Sequence, residues 1–338
     1  MSTTKIKEKA LQLGYLACGI IPSAEFHEYA EYLDNCVKSF PQSKEFYKPL
    51  YDFVSQPDNA KSIIVCTKRY NKYKIPDSLN GLIGKMYLFD SRITYSKEFR
   101  AKTEFETYLK TLGINILQGN VPVRLAAAKA GLGKIGHNNF LYDSKHGSYI
   151  CIDAWVVDKE LDYNSMEENI ILSECSDKCQ KCIRSCPTKA LSESLLTDSG
   201  KCVTRLNCLI KETVDEETKQ KLGLWLYGCD VCQDVCPLNK NKFKESEEFP
   251  LLDEFEEYLK LENILEMDED TFLNIIHPRF WYINKDSMWL WKCNALRCMI
   301  NSGDSKYHDI IKKYCDHEDI RIRETARWGC GIIVHDNK

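Results

Sequence analysis

The stretch AGLGKIGHNN, Ala130–Asn139, carries Gly131-x-Gly133-x-x-Gly136, the glycine spacing of a loop that cradles a dinucleotide pyrophosphate. That fingerprint works only where a strand leads into the glycines and a helix leaves them, so that the pyrophosphate meets the helix N-terminus. Here the order is reversed. Upstream, VPVRLAAAKA is rich in Ala, Leu, Arg and Lys and predicts a helix; downstream, FLYDSKHGSYICIDAWVVD is alternating, β-branched and aromatic and predicts a pair of strands. Helix, glycine loop, strand is not the dinucleotide-binding unit, and glycines also gather wherever a loop needs positive φ. Binding of NAD is therefore not expected.

Outward from the loop, KIKEKALQLGYLACGI, SIIVCTKRY and SKEFRAKTEFETYLKTLGI alternate helical and strand patterns and predict a mixed α/β domain over residues 1–165. A cysteine-rich segment, 166–245, follows. Residues 246–338 are helical, and LWKCNALRCMINSGDSKYHDIIKKYCDHEDIRIRETARWGCGII reads as three helices separated by a Gly-Asp turn and an Asp-containing turn, a HEAT-like arrangement. The fold class expected is α+β in three domains, which suits 338 residues with 43% hydrophobic content. The formal charge of −4 gives no global basic field for nucleic acid, leaving only a local patch open. The N-terminus has no uninterrupted apolar signal segment and no apolar run reaches the ~18 residues that span a membrane, so a cytoplasmic protein with no membrane partner is expected.

Seventeen cysteines in such a protein point to metal or redox work rather than disulfides. Nine lie between Cys175 and Cys236; the others (Cys18, Cys36, Cys66, Cys151, Cys293, Cys298, Cys315 and Cys330) are scattered and read as small buried hydrophobes. CSDKCQKCIRSCP gives Cys175-x3-Cys179-x2-Cys182-x3-Cys186-Pro187, and YGCDVCQDVCP gives Cys229-x2-Cys232-x3-Cys236-Pro237, with Cys202 and Cys208 between. In a two-cluster ferredoxin three near thiolates hold one cubane and the remote Cys-Pro crosses to the other. The crossing predicts one [4Fe–4S] cluster on Cys175, Cys179, Cys182 and Cys236 and a second on Cys202, Cys229, Cys232 and Cys186. Cys208 competes with Cys202, and the first x3 gap departs from the bacterial x2. Structural zinc, which favours two Cys pairs around one ion, suits two Cys-Pro-terminated triplets poorly.

In order and spacing, AGLGKIGHNN, the Cys triplet with CPTKAL, KCVTRLNCLIKE, YGCDVCQDVCPLNK, NALRCMINSGD and IRIRETARWG resemble the epoxyqueuosine reductase family over most of the chain, and more loosely the reductive dehalogenases. The resemblance implies a cobalamin held without its lower base between the N-terminal and cluster domains, reduced through the clusters by a donor such as ferredoxin or flavodoxin. Clusters reaching roughly −700 mV suit that task. It places Asn120, Arg124, Gly131, Gly133, Lys134, Ile135, Gly136, His137, Asn138, Asn139 and Tyr149 around the cofactor.

Departures cluster at the implied substrate face. Asn120 stands where the family carries a proton-donating aspartate, Lys134 where it favours tryptophan, His137 where it favours lysine, and TYS at 94–96 where a Tyr-His pair is common. An amide is no general acid near neutral pH. The catalytic set expected is therefore His137, Tyr95 and the Asn120 position, with Tyr87 a further phenol, although such residues are more often hydrogen-bonding or packing groups. The leading expectation is a cobalamin-dependent reductase whose small-molecule substrate differs from epoxyqueuosine. The alternatives are the strict tRNA enzyme and an electron-transfer protein that activates a corrinoid partner. The aromatic run Phe280–Cys293 reads as packing rather than an RNA-stacking surface, and Lys306, Lys312, Lys313, Arg321, Arg323 and Arg327 as a mixed-charge face.

Overall fold

The computed structural model describes residues 3–175, 179–193 and 195–336. The chain forms two compact units, each drawn from separate stretches: Met1–Lys74, Phe89–Gly200 and Val231–Glu247 make the first, and Ile75–Leu88, Lys201–Asp230 and Glu248–Lys338 the second.

Among the described residues the strands are β1 (Ala17–Pro22), β2 (Ser62–Arg69), β3 (Ile116–Leu117), β4 (Lys134–Ile135), β5 (Leu141–Tyr142), β6 (Ile150–Val157), β7 (Leu191–Glu193) and β8 (Leu196–Thr197). Four form the main sheet of the first unit in the order β1-β2-β6-β3, every pairing antiparallel. The N-terminal segment is therefore α+β rather than α/β in the strict sense, because its main sheet has no parallel pairing among the described residues. Side chains alternate across a strand. Ile63 and Val65 face the helix Val123–Lys129 through Leu125, Ala126, Ala127 and Ala128, while Ile64 and Cys66 face Ile6, Ala10, Phe105 and Leu109 on the helices Thr3–Gln12 and Lys97–Thr111. With both faces covered, β2 reads as a continuous apolar run rather than an alternating one.

The helix Val123–Lys129 ends at the glycine loop in a Schellman motif. Leu132 N–H reaches Ala127 O at 2.9 Å and Gly131 N–H reaches Ala128 O at 3.0 Å, with Gly131 left-handed at φ +74°. The loop then enters the two-stranded β4–β5 pair, Lys134 opposite Tyr142 and Ile135 opposite Leu141. Helix, glycine loop and strand follow in the expected order.

In the second unit the helices Met288–Ser302, His308–Lys313 and Ile320–Asp336 follow one another with the turns the sequence predicts, Gly303 closing the first at φ +64°. Phe280 and Trp291 pack on each other at 5.5 Å and both on Tyr227, so this part of the aromatic run is core. Lys306, Lys312, Arg321 and Arg327 each pair with a nearby aspartate, giving the mixed-charge face expected. No helix among the described residues is long and apolar enough to cross a membrane.

Candidate metal centre

All seventeen cysteines are thiols rather than disulfides. Six of the eight scattered ones, Cys18, Cys36, Cys66, Cys151, Cys293 and Cys298, are buried as expected; Cys315 and Cys330 are half-buried instead, their sulfurs 2.7 Å apart. That the turn after the helix His308–Lys313 brings Cys315 against Cys330 on the last helix could not be read from spacing.

In the first unit Cys175, Cys179, Cys182 and Cys236 line one pocket together with His137, Asn138, Tyr142 and Lys181. These are the four thiols predicted for the first cluster. Cys182 lies in the short helix Lys181–Ser185, and Cys236 follows the helix Val231–Asp234, its N–H held by Gln233 O at 3.2 Å. Burial pushes the Cys182 thiol up to about 11, and Cys175 and Cys236 add to the shift as like charges. Thiolates crowded in this way are stabilised when iron draws off their charge. No three His, Cys, Asp or Glu side chains among the described residues converge on a single metal-ion position; the four thiols line one pocket instead. That donor set fits a cluster.

The glycine loop forms one wall. A Cβ on Gly136 would stand 2.7 Å from the Tyr142 ring, and one on Gly133 would stand 2.6 Å from Tyr142 O. Both glycines therefore serve the close approach of the loop to its own strand partner. Asn138 donates from Nδ2 to Cys232 O at 2.9 Å and to Tyr142 Oη at 3.0 Å. Asn139, at φ +61°, donates to Leu195 O at 2.6 Å and Thr197 Oγ1 at 2.8 Å, tying the loop to the β7–β8 hairpin. Burial, then hydrogen bonding to Cys236, raises the Tyr142 phenol far above its usual value. Sequence reasoning missed Tyr142 and Lys181; the signal available was that Gly136 implies a bulky neighbour, and Tyr142 is the aromatic of the adjoining strand.

Other expected residues are placed apart from this pocket's lining. Tyr149 is buried and donates to Asp234 Oδ1 at 3.1 Å. Arg124 is exposed, its guanidinium 4.7 Å over the Phe140 ring, with no carboxylate partner among the described residues. Asn120 is exposed, its carbonyl accepting from Gln56 Nε2 at 2.8 Å. Gly131 is exposed, Lys134 and Tyr95 are half-buried, and Ile135 is buried in the core beside β5.

Cys186 and Cys232 belong to the first unit, Cys202 and Cys229 to the second. The Cys186 sulfur accepts the Ala190 N–H at 3.3 Å, a bond suited to a thiolate ligand. Cys202 caps the helix Val203–Cys208 and is partly open, whereas Cys208 is sealed, donates to Asn207 Oδ1 at 3.0 Å and is held far above its usual pKa by burial. That contrast favours Cys202 over Cys208 as a ligand. A Cβ on Gly84 would stand 3.1 Å from Cys229 N, and one on Gly228 would clash with the Tyr87 ring. Tyr87, edge-on to Tyr227 at 5.0 Å and Tyr282 at 5.8 Å, is packing beside Cys229.

A mixed helix-and-sheet protein with this thiol pocket is an iron–sulfur protein, and residues 174–239 match the family model described as a 4Fe-4S double cluster binding domain. The chain is 31% identical to the epoxyqueuosine reductase of Leadbetterella byssophila over 245 residues, 70% of this chain and 79% of that one. It is 29% identical to the enzyme of Cyclobacterium marinum over 261 residues, 73% of this chain and 82% of that one. The chain belongs to the epoxyqueuosine reductase family and is an oxidoreductase. In fold it is similar to the epoxyqueuosine reductase of Bacillus subtilis, with TM-score 0.78 and 24% identity over 98% of this chain and 90% of that one. An epoxyqueuosine reductase crystallised with an epoxyqueuosine-modified tRNA stem loop superposes with TM-score 0.73 and 22% identity, covering 98% and 89%. A reductive dehalogenase reaches only 0.43 at 14% identity, too slight a likeness to carry an argument.

Proposed function

We propose that the chain is a cobalamin-dependent iron–sulfur reductase that passes single electrons through two [4Fe–4S] clusters to cobalt and on to an organic substrate. The observation that carries the reading is the gathering of Cys175, Cys179, Cys182 and Cys236 around one pocket in a chain of this family. The second cluster is assigned to Cys186, Cys202, Cys229 and Cys232. A low-potential donor of the ferredoxin or flavodoxin class supplies the electrons. The three-part division at 1–165, 166–245 and 246–338, with HEAT-like C-terminal helices, belongs to the same proposal.

When bound, cobalamin supplies a low-potential metal centre that meets the substrate. The residues fit it in part. Arg124 and Asn120 are exposed, and the Arg124 guanidinium has no carboxylate partner among the described residues, so both are available for the amides and phosphate of a corrinoid. Gly131 and Lys134 are accessible beside them in the chain. Asn138, Asn139 and Tyr149 have committed their polar groups to protein partners, so they frame such a site rather than bind its ligand.

Epoxyqueuosine in tRNA, named for the relatives, is the first substrate to test. Reducing an epoxide takes two electrons, which a one-electron relay delivers in two passes, and protons for the leaving oxygen. A second reading is favoured by Asn120, whose amide cannot supply that proton: a different organic substrate, with the half-buried Tyr95 phenol as donor. The test is anaerobic reconstitution followed by iron and sulfide analysis, cobalamin titration by absorbance, and turnover on an epoxyqueuosine-modified stem loop. The reading expects about eight irons per chain, saturable cobalamin binding and cobalamin-dependent turnover. Intact clusters with no affinity for cobalamin would leave an electron-transfer protein instead. Turnover on the stem loop that appears only in Asn120→Asp would place the natural substrate elsewhere.

A further inference from the structure

We infer that His137 donates a hydrogen bond from Nδ1 to a sulfur of the cluster on Cys175, Cys179, Cys182 and Cys236, and thereby sets that cluster's reduction potential. The inference rests on the two-cluster reading above. His137 is only 7% exposed and lines the pocket with the four thiols. Its Nδ1 is shut off from solvent and has no hydrogen-bond partner among the described residues. A buried ring nitrogen left in that state is destabilising, and native proteins rarely tolerate it.

The polar groups beside it are already engaged. Asn138 spends its amide on Cys232 O and Tyr142 Oη, and the Tyr142 hydroxyl is bonded toward Asn138 and Cys236. Lys181, the remaining polar side chain of the lining, is a cation and accepts nothing. None of the four cysteine sulfurs stands in hydrogen-bond geometry with Nδ1, so the acceptors left are the inorganic sulfides that a cluster brings into the pocket. The Nδ1–H tautomer of a neutral imidazole supplies the one donor that such a sulfur needs. A donor to cluster sulfur stabilises the reduced, more negative form and so raises the potential. His137 is then a positioning residue for electron transfer, enclosed with the thiols, and not the proton donor to substrate.

The experiment is a potentiometric titration of the reconstituted holoenzyme, followed by electron paramagnetic resonance, for wild type, His137→Phe and His137→Gln. The phenylalanine variant should keep its iron and move one of the two cluster couples to lower potential while the other stays. The glutamine variant, which retains an N–H donor, should recover most of the shift. Electron–nuclear double resonance on protein with isotopically labelled histidine should show an imidazole nitrogen coupled to one reduced cluster. Unchanged potentials with full iron, or no such coupling in wild type, overturn the inference. Wild type that assembles only one cluster, or none, overturns the two-cluster reading first, and the iron count separates the two failures.

Discussion

Gly131 and Gly136 are five positions apart in one loop and do different physical work. Gly131 occupies the left-handed region at φ +74°, with nothing within 4 Å of an added Cβ, so an alanine there meets only backbone strain. Gly131→Ala should cost ~1–2 kcal/mol, read as a modest fall in the thermal midpoint of anaerobic holoenzyme with iron content unchanged. Gly136 has no positive φ; its constraint is the Tyr142 ring, 2.7 Å from a Cβ and itself only 5% exposed. Gly136→Ala must displace that ring, whose hydroxyl is bonded to Asn138 and Cys236, so the larger effect expected is faster iron loss to a chelator, and equal iron release in the two variants would refute the distinction. The sequence signals that the loop needs glycine, because that need is local. It does not signal which glycine answers to φ and which to a neighbour, since the neighbour belongs to another strand. Nor does residue type alone separate Asn138 and Asn139, which brace the loop, from an amide free to meet a cofactor.

Short helices carry the cysteines, and a helix of this length has little stability of its own, so it is held by what it docks on. For the helix Val231–Asp234 and the turn Pro237–Asn239 the dock is a buried polar knot on the first unit. Asn239 accepts the Ser148 N–H at 2.9 Å and donates to Ser148 Oγ at 2.8 Å and Gln233 O at 2.7 Å, while Gln233 donates to Ser148 Oγ at 2.9 Å. Asn239→Leu keeps much of the bulk but leaves the Ser148 N–H buried without its acceptor, at about 1–3 kcal/mol, and leaves the Gln233 carbonyl with the Cys236 N–H alone. The expected outcome is a lower melting midpoint together with weaker iron retention at the Cys236 site; a stability loss with unchanged iron retention would show that the knot supports the fold and not the ligand. In the second unit Asn294 and Arg297 play the comparable part, donating to the carbonyls of Asn207, Leu226, Gly223 and Trp225 in the stretch between Cys202 and Cys229. Periodicity locates β2, β6 and the helices Val123–Lys129 and Lys97–Thr111, because burial on a regular element leaves a repeat in its own residues. It cannot say that β1, β2 and β6 pair antiparallel, or that residues 75–88 fold with the second unit, where Gly84 N–H meets Tyr227 O at 2.8 Å and Leu226 N–H meets Leu82 O at 2.8 Å. Those pairings depend on segments far away in the chain, and each strand's own pattern is silent about its partner.

Iron binding and folding should be coupled unevenly along the chain. The sheet core needs no metal: Ile20, Ile63, Ile64, Val65 and Val157 are fully buried among apolar side chains on β1, β2 and β6. The thiol pocket is different, because Cys175, Cys179, Cys182 and Cys236 remain half-exposed and His137 Nδ1 has no partner there among the described residues, so few apolar contacts stand in for a cluster. The grouping of its four thiols was the most legible feature of the site in the sequence, since cubane chemistry fixes thiolate spacing within a short stretch. Of the residues that support it, Gln233 and Asn239 sit within and just after the Cys232–Cys236 spacing, where nothing in the spacing marks them as a brace, and Tyr142 comes from a strand that no spacing rule joins to it. Local opening follows local contact density, and metal-binding energy is folding energy only for the elements the metal organises. Oxidative removal of iron should therefore raise amide exchange in Lys181–Ser185, Val231–Asp234 and the glycine loop, while β1, β2, β6 and the helix Met288–Ser302 keep their slow exchange. Hydrogen-exchange mass spectrometry on holo and iron-free protein makes the comparison. Uniform loss of protection would mean that the clusters hold the entire fold, and unchanged exchange at the thiol pocket would mean that it is rigid before iron arrives.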